Sequence, residues 1–125
     1  MLFAATARPL GPNAAPGVFW RGLRRVAVDG TCWNAADTVA NDEEFGRPGN
    51  TRPVDKAVFP QVRMAALVEL GTHAVPDVEG CRTGEVTLDA RLVRSCVPGR
   101  LVLADRKFLG VPLWQSITTT GCHLL

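Results

Sequence analysis

The 125-residue sequence has no apolar run that approaches the roughly 20 residues needed to cross a bilayer. Its N-terminus is mildly apolar but is interrupted by Arg8 and Pro9, whereas a signal peptide has a basic start followed by an unbroken apolar stretch. The sequence therefore predicts neither a membrane span nor a secretory leader. We expect a cytoplasmic protein.

Zinc-type motifs and a strong net charge are also lacking. The four cysteines form no CxxC pair and no zinc-like spacing, which favours separate thiols packed as small hydrophobic groups. A net charge of +2 is too small to imply a polyanionic partner by itself. With 46% hydrophobic and 21% charged residues, the chain has the composition of one soluble globular domain.

Two stretches of similar form are each predicted to be an apolar strand that ends in an aspartate. The first strand is predicted over 23–29, ends in Asp29 and is stopped by Gly30. Its near-continuous apolar run is typical of a strand covered on both faces. A later strand over 100–105 ends in Asp105.

The segments around these strands have less uniform patterns. Residues 1–20 are predicted to be a linker, and residues 34–58 a long polar loop, because proline, glycine and asparagine interrupt both. Residues 61–70 are predicted to be a strand, although their composition also suits a helix. The following THAVPDV segment (72–78) is predicted to be its hairpin partner and to include His73.

The C-terminal half contains two helical patterns. Apolar residues at helical spacing predict a helix over 84–97, which Pro98 and Gly99 end. A shorter helix is predicted over 111–119, and residues 122–125 are predicted to begin a last strand. The order β-β-β-α-β-α-β predicts an α/β fold with a mixed sheet.

A right-handed crossover through the 84–97 helix would place the Asp105 strand parallel to the Asp29 strand. The two carboxylates would then be neighbours at one sheet edge, where they repel unless a cation neutralises them. Mg²⁺ and Mn²⁺ prefer such oxygen ligands. The alternative is that both aspartates only form turns at strand ends.

Four basic residues lie in the polar loop or directly after Asp105. Arg47 and Arg52 belong to the polar loop, and Arg106 and Lys107 follow Asp105 directly. Their positions suit contacts with a nucleic-acid backbone beside a metal site. The alternative is an ordinary solvated surface.

Much of the chain, from about Ala7 onward, resembles DDE transposases of the family founded on insertion element four. The matching segments keep their order and spacing across nearly the whole length. They are ARPLG (7–11), RGLRRVAVDGT (21–31), DTVAND with FGRPGN (37–50), FPQVRMAALVELGTHAVPDV (59–78), RTGE (82–85) and LVLADRKF (101–108).

The resemblance implies a partial ribonuclease-H-like fold and an enzyme that cuts and joins transposon-end DNA by two-metal phosphodiester transfer. It identifies Asp29 and Asp105 as the first and second catalytic aspartates, which ligate Mg²⁺ or Mn²⁺. With DNA as the substrate, the basic residues noted above, Arg47, Arg52, Arg106 and Lys107, are the predicted DNA-binding residues. Residues 1–22 correspond to a linker or a remnant of the N-terminal region, and residues 23–125 to the N-terminal part of the catalytic domain.

The sequence departs from the family pattern in two respects. The family's third acid is a glutamate in a downstream tyrosine-arginine-glutamate motif, whereas this chain has no acidic residue after Asp105 and no tyrosine. The family usually has glycine where this chain has Lys107. The sequence therefore predicts a transposase fragment truncated at both ends, which could associate with itself or with a full-length transposase. The alternatives are a non-catalytic DNA-binding or interaction remnant and an inert remnant.

Overall fold

The structure is a computed structural model that describes residues 2–49, 56–81, 91–105 and 110–125. Its strands are β1 (Phe19–Trp20), β2 (Leu23–Asn34), β3 (Gln61–Glu69), β4 (Asp77–Cys81), β5 (Arg100–Ala104) and β6 (His123–Leu124). The α-helices are α1 (Leu2–Thr6), α2 (Val39–Phe45) and α3 (Val111–Thr119), and Val93–Ser95 form a 3-10 turn.

The strands form one mixed sheet in the order β4-β3-β2-β5-β6, and β1 also pairs with β2. β2 lies antiparallel to β3 and parallel to β5. The predicted α/β class, the mixed sheet and the parallel arrangement of the two aspartate-bearing strands are therefore confirmed. None of the helices in the described residues combines the length and the hydropathy that crossing a bilayer requires.

The core lies on one face of this sheet. Strand alternation sends Val26 and Val28 to the same side, where Leu67 and Val102 from the neighbouring strands join them. This side is covered by Leu92 and Cys96, which flank the 3-10 turn, and by Ile117 of α3.

The first strand is longer than predicted. Gly30 does not end it, because the nine residues of β3 pair with β2 from Val26 to Asn34. Gly30 lies within this pairing, opposite Ala65. Tertiary pairing thus overrides the local preference of glycine for a strand end. Asp29 consequently lies within β2 and is not its last residue.

Two predicted loops contain regular structure. The polar segment over 34–58 includes α2, whose N-cap Thr38 accepts a hydrogen bond from the Asn41 amide. The predicted linker over residues 1–20 includes α1 and β1. β1 joins β2 through Arg21 and Gly22, which have φ values of 49° and 80°, the left-handed pair that a tight hairpin favours.

The third predicted strand is a hairpin partner of β3, as expected, but it begins only at Asp77. His73 is therefore not on a strand. It lies in the preceding turn with a φ of 58° and is exposed.

The two predicted helices have different outcomes. Most of the 84–97 helix lies outside the described residues; residues 91 and 92 are α-helical, and the segment ends in the 3-10 turn. The 111–119 helix is confirmed with the same bounds, and Pro112 lies in its first turn. The strand predicted at 122–125 is β6, which is parallel to β5.

A buried carboxylate ties the N-terminal segment to the end of β3. Glu69 has no exposed surface, and its Oε2 accepts hydrogen bonds from the amides of Leu10 (3.1 Å) and Gly11 (2.8 Å). The Thr72 hydroxyl also donates to Oε2, and the Arg24 guanidinium pairs with Oε1. Burial raises the pKa of Glu69, but these donors outweigh it and the net pKa is lowered.

We expect Glu69→Gln to lower the free energy of unfolding by about 2–4 kcal/mol, since Arg24 would lose its buried counter-charge. Urea denaturation measures this loss. The unfolded state binds a proton at Glu69 more readily than the folded state does. The contribution of Glu69 is therefore present above about pH 4.3, the ordinary value, and is lost as the pH falls through the lowered folded value.

The stability of Glu69→Gln should consequently depend less on pH in the acid range than that of the wild type. Glu43→Gln, at an exposed position on α2, is the matched control. Equal stability losses in the two variants would contradict the anchoring role of Glu69.

Candidate functional site

The register of β2 and β5 places Asp29 beside Asp105. The last residues that pair between these parallel strands are Val28 and Ala104, and the two aspartates are the next residues on each chain. Asp29 lies within β2, whereas Asp105 lies one residue beyond β5. The predicted adjacency therefore arises from register rather than from two strands that end together.

Alternation along β2 places Asp29 on the side of the sheet away from the core, because Val28 before it belongs to the core. Asp105 directly follows Ala104, the last residue of β5, which packs against the core. Both aspartates are exposed. We call the side that carries Asp29 the open face.

The aspartate pair suits a hard cation. Asp29 Oδ1 accepts a hydrogen bond from the Gly30 amide at 2.8 Å, which orients the carboxylate. Within the described ranges, no group of three or more His, Cys, Asp or Glu residues could hold a metal ion. Two neighbouring carboxylates nevertheless fit Mg²⁺ or Mn²⁺, which are commonly held by one or two carboxylates together with water and phosphate oxygens.

Arg47, one of the four predicted DNA-binding residues, is engaged within its own loop. Its guanidinium pairs with Asp37 and with Asp42, the latter at 3.2 Å, and it donates to the Val58 carbonyl. These contacts join the two ends of the 37–58 segment. The role of Arg47 in DNA binding remains a prediction, while Arg52, Arg106 and Lys107 lie outside the described residues.

A cleft with a volume of about 490 Å³ lies near the β4 edge and away from the aspartate pair. Its carboxylates already have partners. Asp77 accepts from Arg94 at 2.9 Å, from the Ser95 hydroxyl and from the Val78 amide at 2.9 Å, and Glu79 pairs with Arg94 at 2.5 Å. This arrangement stabilises the packing of the 91–95 segment on β4 and offers no free ligand oxygen comparable to the exposed Asp29.

Sequence reasoning missed an apolar pocket on the open face. Its volume is about 180 Å³, and it is lined by Trp20, Arg25, Leu101, Leu103 and Leu125. The available signal was the alternation within RLVLA, in which Leu101 and Leu103 cannot share a side with Val102.

Relatives in the curated record support the resemblance seen in the sequence. Over 124 residues, 98% of this chain, the sequence is 31% identical to "Transposase InsG for insertion sequence element IS4" from Escherichia coli strain K12. It is 26% identical over the same share of the chain to "Putative transposase InsZ" from that strain. The resemblance to transposases of the IS4 family is therefore confirmed.

The match covers only part of each relative. The chain spans 27% of the length of InsG and 41% of the length of InsZ. No family model and no solved structure matches the sequence. The similarity thus concerns one segment of a transposase.

Replacing Arg47 with glutamine should loosen the 37–58 loop. We expect faster amide hydrogen exchange at Ala57 and Gln61, whose N–H groups bond to Pro48 and Gly46, because the ion pairs that close the loop are lost. Since both carboxylates are substantially exposed, global stability should fall only slightly. Arg21→Gln, in a distant turn, is the control, and unchanged exchange in Arg47→Gln would show that the ion pairs do not hold the loop.

Proposed function

We propose that Asp29 and Asp105 are two of the metal-binding carboxylates of a transposase site that cuts and joins DNA. The observation that carries this proposal is the β2–β5 register, which sets the two exposed aspartates side by side. The parallel pair at the centre of a mixed sheet suits a partial ribonuclease-H-like fold. On this proposal residues 23–125 form the N-terminal part of the catalytic domain, and residues 1–22 a linker or a remnant of the preceding region.

The cofactor that fits this site is Mg²⁺ or Mn²⁺. When bound by such carboxylates, divalent ions activate a water or 3′-hydroxyl oxygen and stabilise the leaving oxygen of a phosphodiester. Asp29, oriented by the Gly30 amide, and Asp105 would supply two ligand oxygens. A third acid, which follows Asp105 in the family pattern, would come from outside the 125 residues.

The proposed substrate is transposon-end DNA, in keeping with the name of the InsG relative. Arg52, Arg106 and Lys107 would contact phosphates, and the last two directly follow Asp105 in the chain.

The metal site is tested by Mn²⁺ binding, measured by electron paramagnetic resonance of free Mn²⁺. We expect Asp29→Asn and Asp105→Asn each to weaken binding at least tenfold, because each removes one of two ligand charges. Glu43→Gln, at an exposed acidic position on α2, should bind Mn²⁺ like the wild type. Binding that survives both aspartate substitutions would refute the assignment.

The DNA partner is tested by the salt dependence of binding to duplex DNA. Replacing Arg106 and Lys107 together by alanine should reduce the slope of log K against log salt by about 2, which corresponds to two lost phosphate contacts. Lys56→Ala, at an exposed position remote in sequence, is the control. A DNA affinity that does not change with salt would exclude this mode of binding.

A further inference from the structure

Two of the cysteines meet in the core, although the sequence predicts separate thiols. Cys96 is 4% exposed and Cys122 is 5% exposed, and both belong to the core cluster. Cys96 directly follows the 3-10 turn, whereas Cys122 lies between α3 and β6. The fold therefore brings together two nucleophilic groups that the proposed metal site does not use.

The segments around the two cysteines lie against each other. The Cys122 thiol donates to the Val97 carbonyl at 2.8 Å, so it contacts the residue that directly follows Cys96. The next residues are also close, because a Cβ on Gly121 would lie 3.2 Å from Cγ of Pro98. The Cys96 and Cys122 thiols share a side-chain hydrogen bond. Thiols in such contact need little rearrangement to reach the geometry of a disulfide.

The pair is shielded in the native state. Burial, and after it the neighbouring Cys122, raises the pKa of the Cys96 thiol to about 11. The nearby charged groups have smaller and opposite effects, since Arg100 lowers this pKa and Asp77 raises it. The thiolate is the form that reacts with oxidants, so Cys96 reacts slowly at neutral pH. Cys32, by contrast, is exposed to solvent.

We propose that Cys96 and Cys122 are a redox-sensitive pair that forms an intrachain disulfide with a two-electron oxidant of the peroxide class. One sulfur is first oxidised to a sulfenic acid, which releases one water, and the second sulfur then displaces another water to form the S–S bond. Both S–H bonds and the O–O bond of the peroxide break. The two sulfurs lose two electrons and two protons, which reduce the peroxide to two molecules of water.

The disulfide would join the two ends of the unit that carries Asp105. Residues 97–121 lie between the cysteines and include β5, Asp105 and α3. A cross-link restricts the unfolded chain and stabilises the native state when its geometry is unstrained. Oxidation would therefore stabilise this unit without altering the Asp105 carboxylate. The inference does not depend on the proposed metal or DNA binding.

The experiment treats the 125-residue chain with hydrogen peroxide, blocks the remaining thiols with iodoacetamide and digests the product with trypsin in the absence of reductant. Mass spectrometry should find the peptide 95–100 linked to the peptide 108–125. Reduction with dithiothreitol should separate them. Cys32→Ser is the matched control and should keep the link, whereas Cys122→Ser should abolish it.

Two comparisons made on the wild type show whether the fold selects this pair. In concentrated urea the same oxidation should give a mixture of links among the four cysteines, since the unfolded chain does not hold Cys96 against Cys122. The oxidised native chain should also unfold at a higher urea concentration than the reduced chain. Cys122→Ser, treated in the same way, should show no such shift.

Oxidation of Cys32 without a link between peptides 95–100 and 108–125 would overturn the proposal. So would the same mixture of links in the native chain as in urea, because the pairing would then not depend on the fold. An oxidised chain that unfolds at a lower urea concentration than the reduced chain would overturn it as well, since the fold would not hold the two sulfurs in bonding geometry. The metal and DNA measurements can fail or succeed independently of these outcomes.

Discussion

Strand β2 determines the arrangement of the rest of the molecule, because it pairs with β3 on one side and with β5 on the other. One side binds β3 in an antiparallel register from Val26 to Asn34, and the other binds β5 in parallel from Arg24 to Val28. These two registers fix which side chains face the helices. They also decide that Asp29 emerges on the opposite side, next to the end of β5.

The core cluster lies on one side of this sheet, whereas Asp29 lies on the other. Val26, Leu67 and Val102 are fully buried against the end of the 91–96 segment and α3. Asp29, on the other side, is exposed. Core residues and the candidate metal ligand therefore alternate along the same strand.

Much of this organisation could be predicted from local pattern. The apolar run of β2, the helical spacing over 111–119 and the parallel relation of the aspartate-bearing strands need only periodicity and the rule for crossovers. The extension of β2 past Gly30 could not be predicted, since it depends on the length of β3. The position of His73 outside a strand could not be predicted either. Strand β4 starts only at Asp77, which accepts hydrogen bonds from Arg94 and Ser95, and no local sequence pattern encodes these contacts.

The hydrogen bond between Glu69 and the Gly11 amide joins residues 58 positions apart in the chain. Contacts of such large sequence separation form late, because closing a long loop costs entropy before any contact forms. The ARPLG segment therefore has a docking site only after β2 and β3 have paired and Arg24 and Glu69 have met. On a growing chain the N-terminal residues would be synthesised first but would be among the last to reach their native position.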